Sequence, residues 1–178
     1  FYVLKRTAQK LNFESKKLYV SSLVLTHLNY CATILFLLND SQLNEIQKVM
    51  NRYARLILKA EYQTPRVIML DKLKWLSVKQ TVYLNTILFI HRIAIGISPA
   101  YLQQHMTKTA EYHKYPTRRN DEYKLKNYFK STSQNCLFYN GLKLYNDFIQ
   151  FKKSKSIDTT LSLKNLAIEY VTINYPLH

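Results

Sequence analysis

The sequence predicts an all-α protein, an irregular helical bundle of about five to seven helices with a basic, tyrosine-rich connector. Three observations carry that expectation. Glycine numbers 2 and proline 4 among 178 residues, too few for the turns of a β sandwich and favourable to long helices. Apolar side chains recur about three to four residues apart over long runs, the spacing of one helix face. Hydrophobic residues make up 47% of the chain, enough for a core rather than a disordered tail.

The elements follow in order. Residues 14–38 read as one helix whose stripe of Leu18, Val24 or Leu25, Leu28, Cys31 or Ala32, and Leu35 is buried. Asn39-Asp40-Ser41 stops it and caps the next. That second helix has a seam of Leu43, Ile46, Met50, Tyr53 and Ile57, helped by Val49 and Leu56. Pro65 opens a short third helix through about Lys72. Ser77-x-x-Gln80 has the form of a capping box ahead of a helix from Val78 to Ile95. Gly96 is its expected stop, with Pro99 beyond. A short amphipathic turn, Ala100 to Met106, closes this half, and two short helices follow at Cys136 to Phe148 and Leu161 to Val171 around a lysine-rich loop. Composition therefore divides the chain into a helical bundle at 1–106, a basic connector at 107–135 and a short helical segment at 136–178.

Charge points to the class of partner. Lys+Arg number 26 against 11 Asp+Glu, a formal net charge of +15. A field that strong calls for an anionic partner, nucleic acid first and an anionic membrane surface second. Lys48, Arg52, Arg55 and Lys59 stand at i, i+4, i+7 and i+11, one basic stripe on a helix face. Stripes of this kind track phosphates, although many serve only as solvated faces. The connector interleaves Tyr115, Arg118, Arg119, Tyr123 and Lys124 with further lysines and tyrosines. Cations for phosphates beside rings for unstacked bases are what single-strand binding requires, while a plain linker would show the same composition.

Other chemistries find little footing. Glycine-rich phosphate loops and nucleophile elbows need glycines the chain lacks. The aspartates Asp40, Asp71, Asp121, Asp147 and Asp158 stand apart from one another in sequence, and the one adjacent acidic pair, Asp121-Glu122, sits in the basic connector and reads as solvated, so nothing suggests metal-assisted phosphoryl transfer. His27 and Cys31 form an i, i+4 pair without further ligands nearby and read as core or interface residues, so no metal site or cofactor is expected. Cys31 and Cys136 read as reduced thiols of an intracellular protein. Leu18 to Leu38 is long enough for a membrane span, but His27, Asn29 and three hydroxyl side chains interrupt it; TILFIHRIAIGI carries His91-Arg92 at its centre. No span is expected. FYVLKRTAQK at the start has no apolar leader, and a chain opening on Phe1 reads as a piece of a longer protein.

The runs LYVSSLVLTHLNYCATILF and LNEIQKVMNRYARLIL resemble the region after the polymerase core in reverse transcriptases of non-LTR (LINE-like, jockey and CR1 group) retrotransposons. The positions that carry the likeness are Leu18, Tyr19, Ser22, Leu23, Leu28 and Tyr30, then Ile46, Gln47, Asn51, Arg52, Arg55 and Ile57. LKWLSVKQ, FIHRIAIGISPAYL, YPTRRND and FYNGLKLYND continue it in order, so it spans nearly the whole chain. The resemblance implies a thumb and C-terminal helical extension that grip template and primer, RNA or an RNA–DNA hybrid, in the nucleus or cytoplasm. The family's polymerase uses a palm with a Tyr-x-Asp-Asp motif, which this chain does not contain. Catalysis would therefore reside upstream, and His27, Asn29 and Tyr30 would face a neighbouring helix or that palm. The alternatives are a helical module that docks on a polymerase palm or on a second copy of itself, and a non-functional transposon remnant.

Overall fold

A computed structural model describes residues 2–112, 121–125, 136–155 and 162–177. Among them the secondary structure is helical, with no strand beyond one isolated bridge between Lys108 and Tyr123. The chain forms two compact units, residues 1–82 with 175–178 and residues 83–174. The compositional boundaries at 106 and 135 do not coincide with that division, because the helix beginning at Val78 is shared by both units.

The first unit starts with α1 (Tyr2–Ala8) and α2 (Phe13–Val20). Asn12 caps α2 by accepting from the Ser15 N–H at 2.8 Å. The single helix expected over 14–38 is broken. A π-helical turn at Ser21–Leu25 joins α2 to α3 (Thr26–Tyr30), and Cys31 separates α3 from α4 (Ala32–Leu35). Two hydroxyls bond back to the helix here, Ser22 Oγ to the Tyr19 carbonyl at 3.0 Å and Thr26 Oγ1 to the Ser22 carbonyl at 2.6 Å. Such back-bonding competes with the regular ladder and bends it. The wider π turn also resets the face. Lys16, Val20, Leu28 and Ala32, each a multiple of four apart, stay buried together, while Leu18 of the expected stripe is 71% exposed. A regular α-helix drifts by about 40° over four residues, so this spacing needs the extra residue of the π turn.

Helix α5 (Asp40–Leu58) opens on the Asn39/Gln42 capping box, with the two reciprocal bonds at 2.9 and 3.1 Å. It buries Leu43, Gln47, Met50, Tyr53, Ala54 and Ile57. Gln47, rather than the expected Ile46, takes the place on the seam because its amide is needed inside. Its Oε1 accepts from the Val78 N–H at 2.8 Å and its Nε2 donates to Asn51 Oδ1 at 2.9 Å. Val49 faces solvent. Helix α6 (Arg66–Leu73) follows Pro65 and packs on α5; Val20, Tyr53, Ala54, Ile57, Met69 and Leu73 make the core of this unit.

Helix α7 (Val78–Ala94) begins at the expected capping box: the Ser77 N–H donates to Gln80 Oε1 at 2.9 Å and the Gln80 N–H to Ser77 Oγ at 3.2 Å. Gln80 Nε2 also donates to the Tyr175 carbonyl at 2.9 Å, tying the chain's last described residues to the first unit. Gly96, at φ 81°, ends α7 with the paired bonds of a Schellman motif, Gly96 N–H to Ile93 O and Ile97 N–H to Arg92 O, both 3.1 Å.

In the second unit, α8 (Ala100–Gln103) and α9 (Thr109–Tyr112) are single turns. A second π turn, Leu137–Gly141, leads into α10 (Leu142–Ser154), which runs six residues beyond the expected end at Phe148 and takes in the start of the lysine-rich stretch expected as a loop, and α11 (Leu163–Asn174) packs on it. A Cβ at Gly141 would lie 3.2 Å from Leu137 and 3.5 Å from both Ile90 and Thr86, so glycine permits the close packing of α10 on α7. The connector is partly built into this unit. Tyr123 is buried, and Asn146 clamps its backbone, accepting from its N–H at 2.9 Å and donating to its carbonyl at 2.8 Å.

Candidate nucleic-acid interface

The four stripe residues lie on α5 and its C-terminal cap. At about 100° per residue, Lys48, Arg52, Arg55 and Lys59 fall within an arc of about 60°. The buried residues of α5 occupy the opposite side. One face of the helix therefore builds the core and the other presents cations.

The four are not equivalent. Lys48 is exposed and paired with Glu45, Nζ to Oε1 2.6 Å, so its charge is largely offset. Arg52 is exposed. Arg55 is half-buried: its guanidinium stands 5.2 Å from the centre of the Tyr62 ring, and its Nε is buried without a hydrogen bond. Lys59 is exposed and left-handed at φ 51°, where the N–H groups of Lys59 and Ala60 reach back to the Arg55 carbonyl. That conformation is costly for a side chain with a Cβ and ends the helix.

Beside the stripe lies a polar cleft of about 560 Å³, whose lining includes Asn44, Glu45, Lys48, Asn51 and Arg66. Gln47, held by Val78, fixes Asn51 Oδ1 as an acceptor and leaves the Asn51 amide nitrogen as the donor on this side. Arg66 and Tyr62 were not singled out in sequence. Arg66 sits directly after Pro65 and Tyr62 lies in the α5–α6 turn, so no periodicity marks either. Glu45 was recoverable, because it stands three residues before Lys48.

Of the connector residues, Lys124 belongs to the second unit; it is exposed and its N–H donates to the Thr107 carbonyl at 2.8 Å. Tyr115, Arg118 and Arg119 lie outside the described residues. His27, Asn29 and Tyr30 are all exposed. Cys31 and Cys136 are free, half-buried thiols.

Among the described residues no group of three His, Cys, Asp or Glu side chains is placed to hold a metal ion. None of the helices they form is long and apolar enough to cross a membrane. Comparison of the chain with protein-family models, curated proteins and solved structures finds no match.

Proposed function

We propose that this chain is a non-catalytic grip for RNA or an RNA–DNA hybrid, the C-terminal, post-polymerase part of a non-LTR retrotransposon reverse transcriptase that holds template and primer in target-primed reverse transcription. One observation carries the reading: the basic stripe of α5 lies opposite that helix's buried face, with Arg52 and Lys59 exposed toward solvent. From Lys48 to Lys59 the stripe is about 16 Å long at 1.5 Å per residue. That is the axial length of about five phosphates of one strand at 3.4 Å each. The net charge of +15 adds long-range attraction. Reverse transcription itself would belong to a palm domain upstream, and the complex would work in the nucleus or cytoplasm.

The test is titration of labelled RNA and RNA–DNA hybrid over a salt series, with wild type and with Arg52→Glu. Affinity falls steeply as salt rises, and the charge reversal weakens binding and flattens the salt slope by roughly 1 to 2. No association at low ionic strength, or binding insensitive to both salt and Arg52, refutes the grip.

A second reading has its own observation. Leu18, Tyr30 and Ile34 are 71%, 88% and 64% exposed along α2–α4. Exposed apolar side chains of that kind suit docking on a polymerase palm or on a second copy. Such an interface would show little salt dependence and no response to Arg52.

A further inference from the structure

The second unit contains a cleft that the grip does not use. It is about 460 Å³, in the range of small-ligand sites, and its lining is mostly apolar with a few convergent polar groups. Its walls come from five places in the sequence: His91 on α7, Lys108 before α9, Asp121 and Tyr123 in the connector, Tyr145 with Lys152 and Lys153 on α10, and Leu163 at the start of α11. The Asn146 clamp on Tyr123 and the bond from the Thr109 N–H to the Glu122 carbonyl, 2.9 Å, hold residues 122–123 of the connector in place as one wall.

A polar pair sits on the apolar floor. His91 Nδ1 and the Tyr145 hydroxyl are 2.8 Å apart. Burial and the nearby Lys152 lower the His91 pKa below its ordinary 6.5, so the imidazole is neutral at pH 7. Burial raises the Tyr145 pKa, so its hydroxyl stays protonated. A neutral pair of this kind offers one donor and one acceptor in either tautomer. If the tyrosine donates, Nε2–H is the remaining donor and the phenol oxygen the acceptor; if the imidazole donates, the roles exchange. The pair thus offers a ligand a donor at one end and an acceptor at the other on an apolar surface, which suits separate polar groups of a nucleobase.

The rim supplies charge. Asp121 and Lys153 are joined at 2.9 Å, and that contact holds the Asp121 carboxyl below the usual carboxylate range. With that pair offsetting itself, Lys108 and Lys152 remain as the rim's net positive charge. The cleft thus combines an apolar floor, one hydrogen-bonding pair and two rim lysines.

We propose that this cleft binds a single nucleoside monophosphate unit, with polar groups of the base at the two ends of the His91–Tyr145 pair and the phosphate between Lys108 and Lys152. The unit could be a free nucleotide or the terminal residue of a strand, and the two differ in the test. The proposal does not depend on the α5 stripe, which lies in the other unit.

The experiment is calorimetric titration of the full chain with adenosine 5′-monophosphate, adenosine and inorganic phosphate, followed by a short RNA carrying a terminal phosphate. The monophosphate binds more tightly than either of its parts. Lys152→Glu, an exposed position, weakens it about tenfold, as expected for a charge-assisted contact. Tyr145→Phe weakens the monophosphate about fivefold and leaves inorganic phosphate unchanged. Competition by the RNA end at lower concentration than the free nucleotide assigns the site to strand termini; the reverse order assigns it to free nucleotide. Arg52→Glu leaves monophosphate binding intact, which separates this site from the grip. Phosphate binding as tightly as the nucleotide, no heat with the nucleotide, or Lys152→Glu without effect overturns the proposal.

Discussion

Glu45→Gln should make the protein bind RNA more tightly. Glu45 offsets Lys48 at 2.6 Å on an exposed part of α5, so the stripe acts as three cations, Arg52, Arg55 and Lys59, rather than four. Each phosphate neutralised on a single strand contributes roughly −0.7 to the slope of log affinity against log salt. Three cations give a slope of roughly −2, and releasing Lys48 takes it to roughly −3. At 0.1 M salt, one more released counterion is worth about 0.7 of a decade, about fivefold in affinity or about 1 kcal/mol. Fluorescence anisotropy of a labelled single-stranded RNA over a salt series reads both quantities. Asp71→Asn is the control, because it removes the same charge beside Lys74 on the loop-facing end of α6 rather than on the stripe. If Glu45→Gln leaves the slope unchanged, or if Asp71→Asn steepens it equally, net charge alone governs binding and the stripe has no special role.

Three further outcomes follow from the fold. Gln47→Met orphans the buried Val78 N–H and should cost about 1–3 kcal/mol, which thermal unfolding reads as a drop of several degrees; an unchanged Tm would mean that the bond across to α7 is dispensable. Lys74→Gly relieves a left-handed residue at φ 55° that closes α6 through bonds to Asp71 and Leu70. It should raise stability by about 1 kcal/mol in denaturant melts, whereas Lys74→Ala should not. His91 sets a pH dependence: its folded pKa is below 6.5, so the unfolded chain takes up that proton first. The associated stability is present above pH 6.5 and is lost as pH falls toward the folded value, and His91→Gln should flatten melts collected through that window.

What could be read in the sequence was local. The Asn39-Asp40-Ser41 cap, the Ser77/Gln80 box, Pro65 and Gly96 are signals carried by a few neighbouring residues, and each marks a helix end in the structure. The α5 stripe followed from periodicity alone. What failed depended on contacts distant in sequence or on a change of helical period. Leu18 fits an α-helical stripe, but the π turn at Ser21–Leu25 shifts the buried face to Lys16 and Val20. Gln47 looks like a surface residue until the N-terminus of α7 arrives 31 residues later to use its amide. Tyr123 reads as an open ring for stacking on bases, yet Asn146, 23 residues on, draws it into the core. The His91–Tyr145 pair spans 54 residues and has no local signature at all.

The division of labour on α5 decides which substitutions can test function without disturbing the fold. Lys59 forms the left-handed cap, so its replacement changes how the helix ends as well as a charge. Arg55 packs on Tyr62 and has a buried Nε, so truncation removes packing along with a cation. Lys48 is already engaged by Glu45. Arg52 is exposed, takes no part in the cap and has no buried nitrogen left without a partner. Surface charge changes of that kind leave stability within about 0.5 kcal/mol, so an Arg52 effect on RNA binding reports on the interface itself. An Arg55 effect would have to be corrected for altered packing first, and a loss seen with Arg55→Glu but not with Arg52→Glu would place the contact at Tyr62 and the turn rather than along the helix.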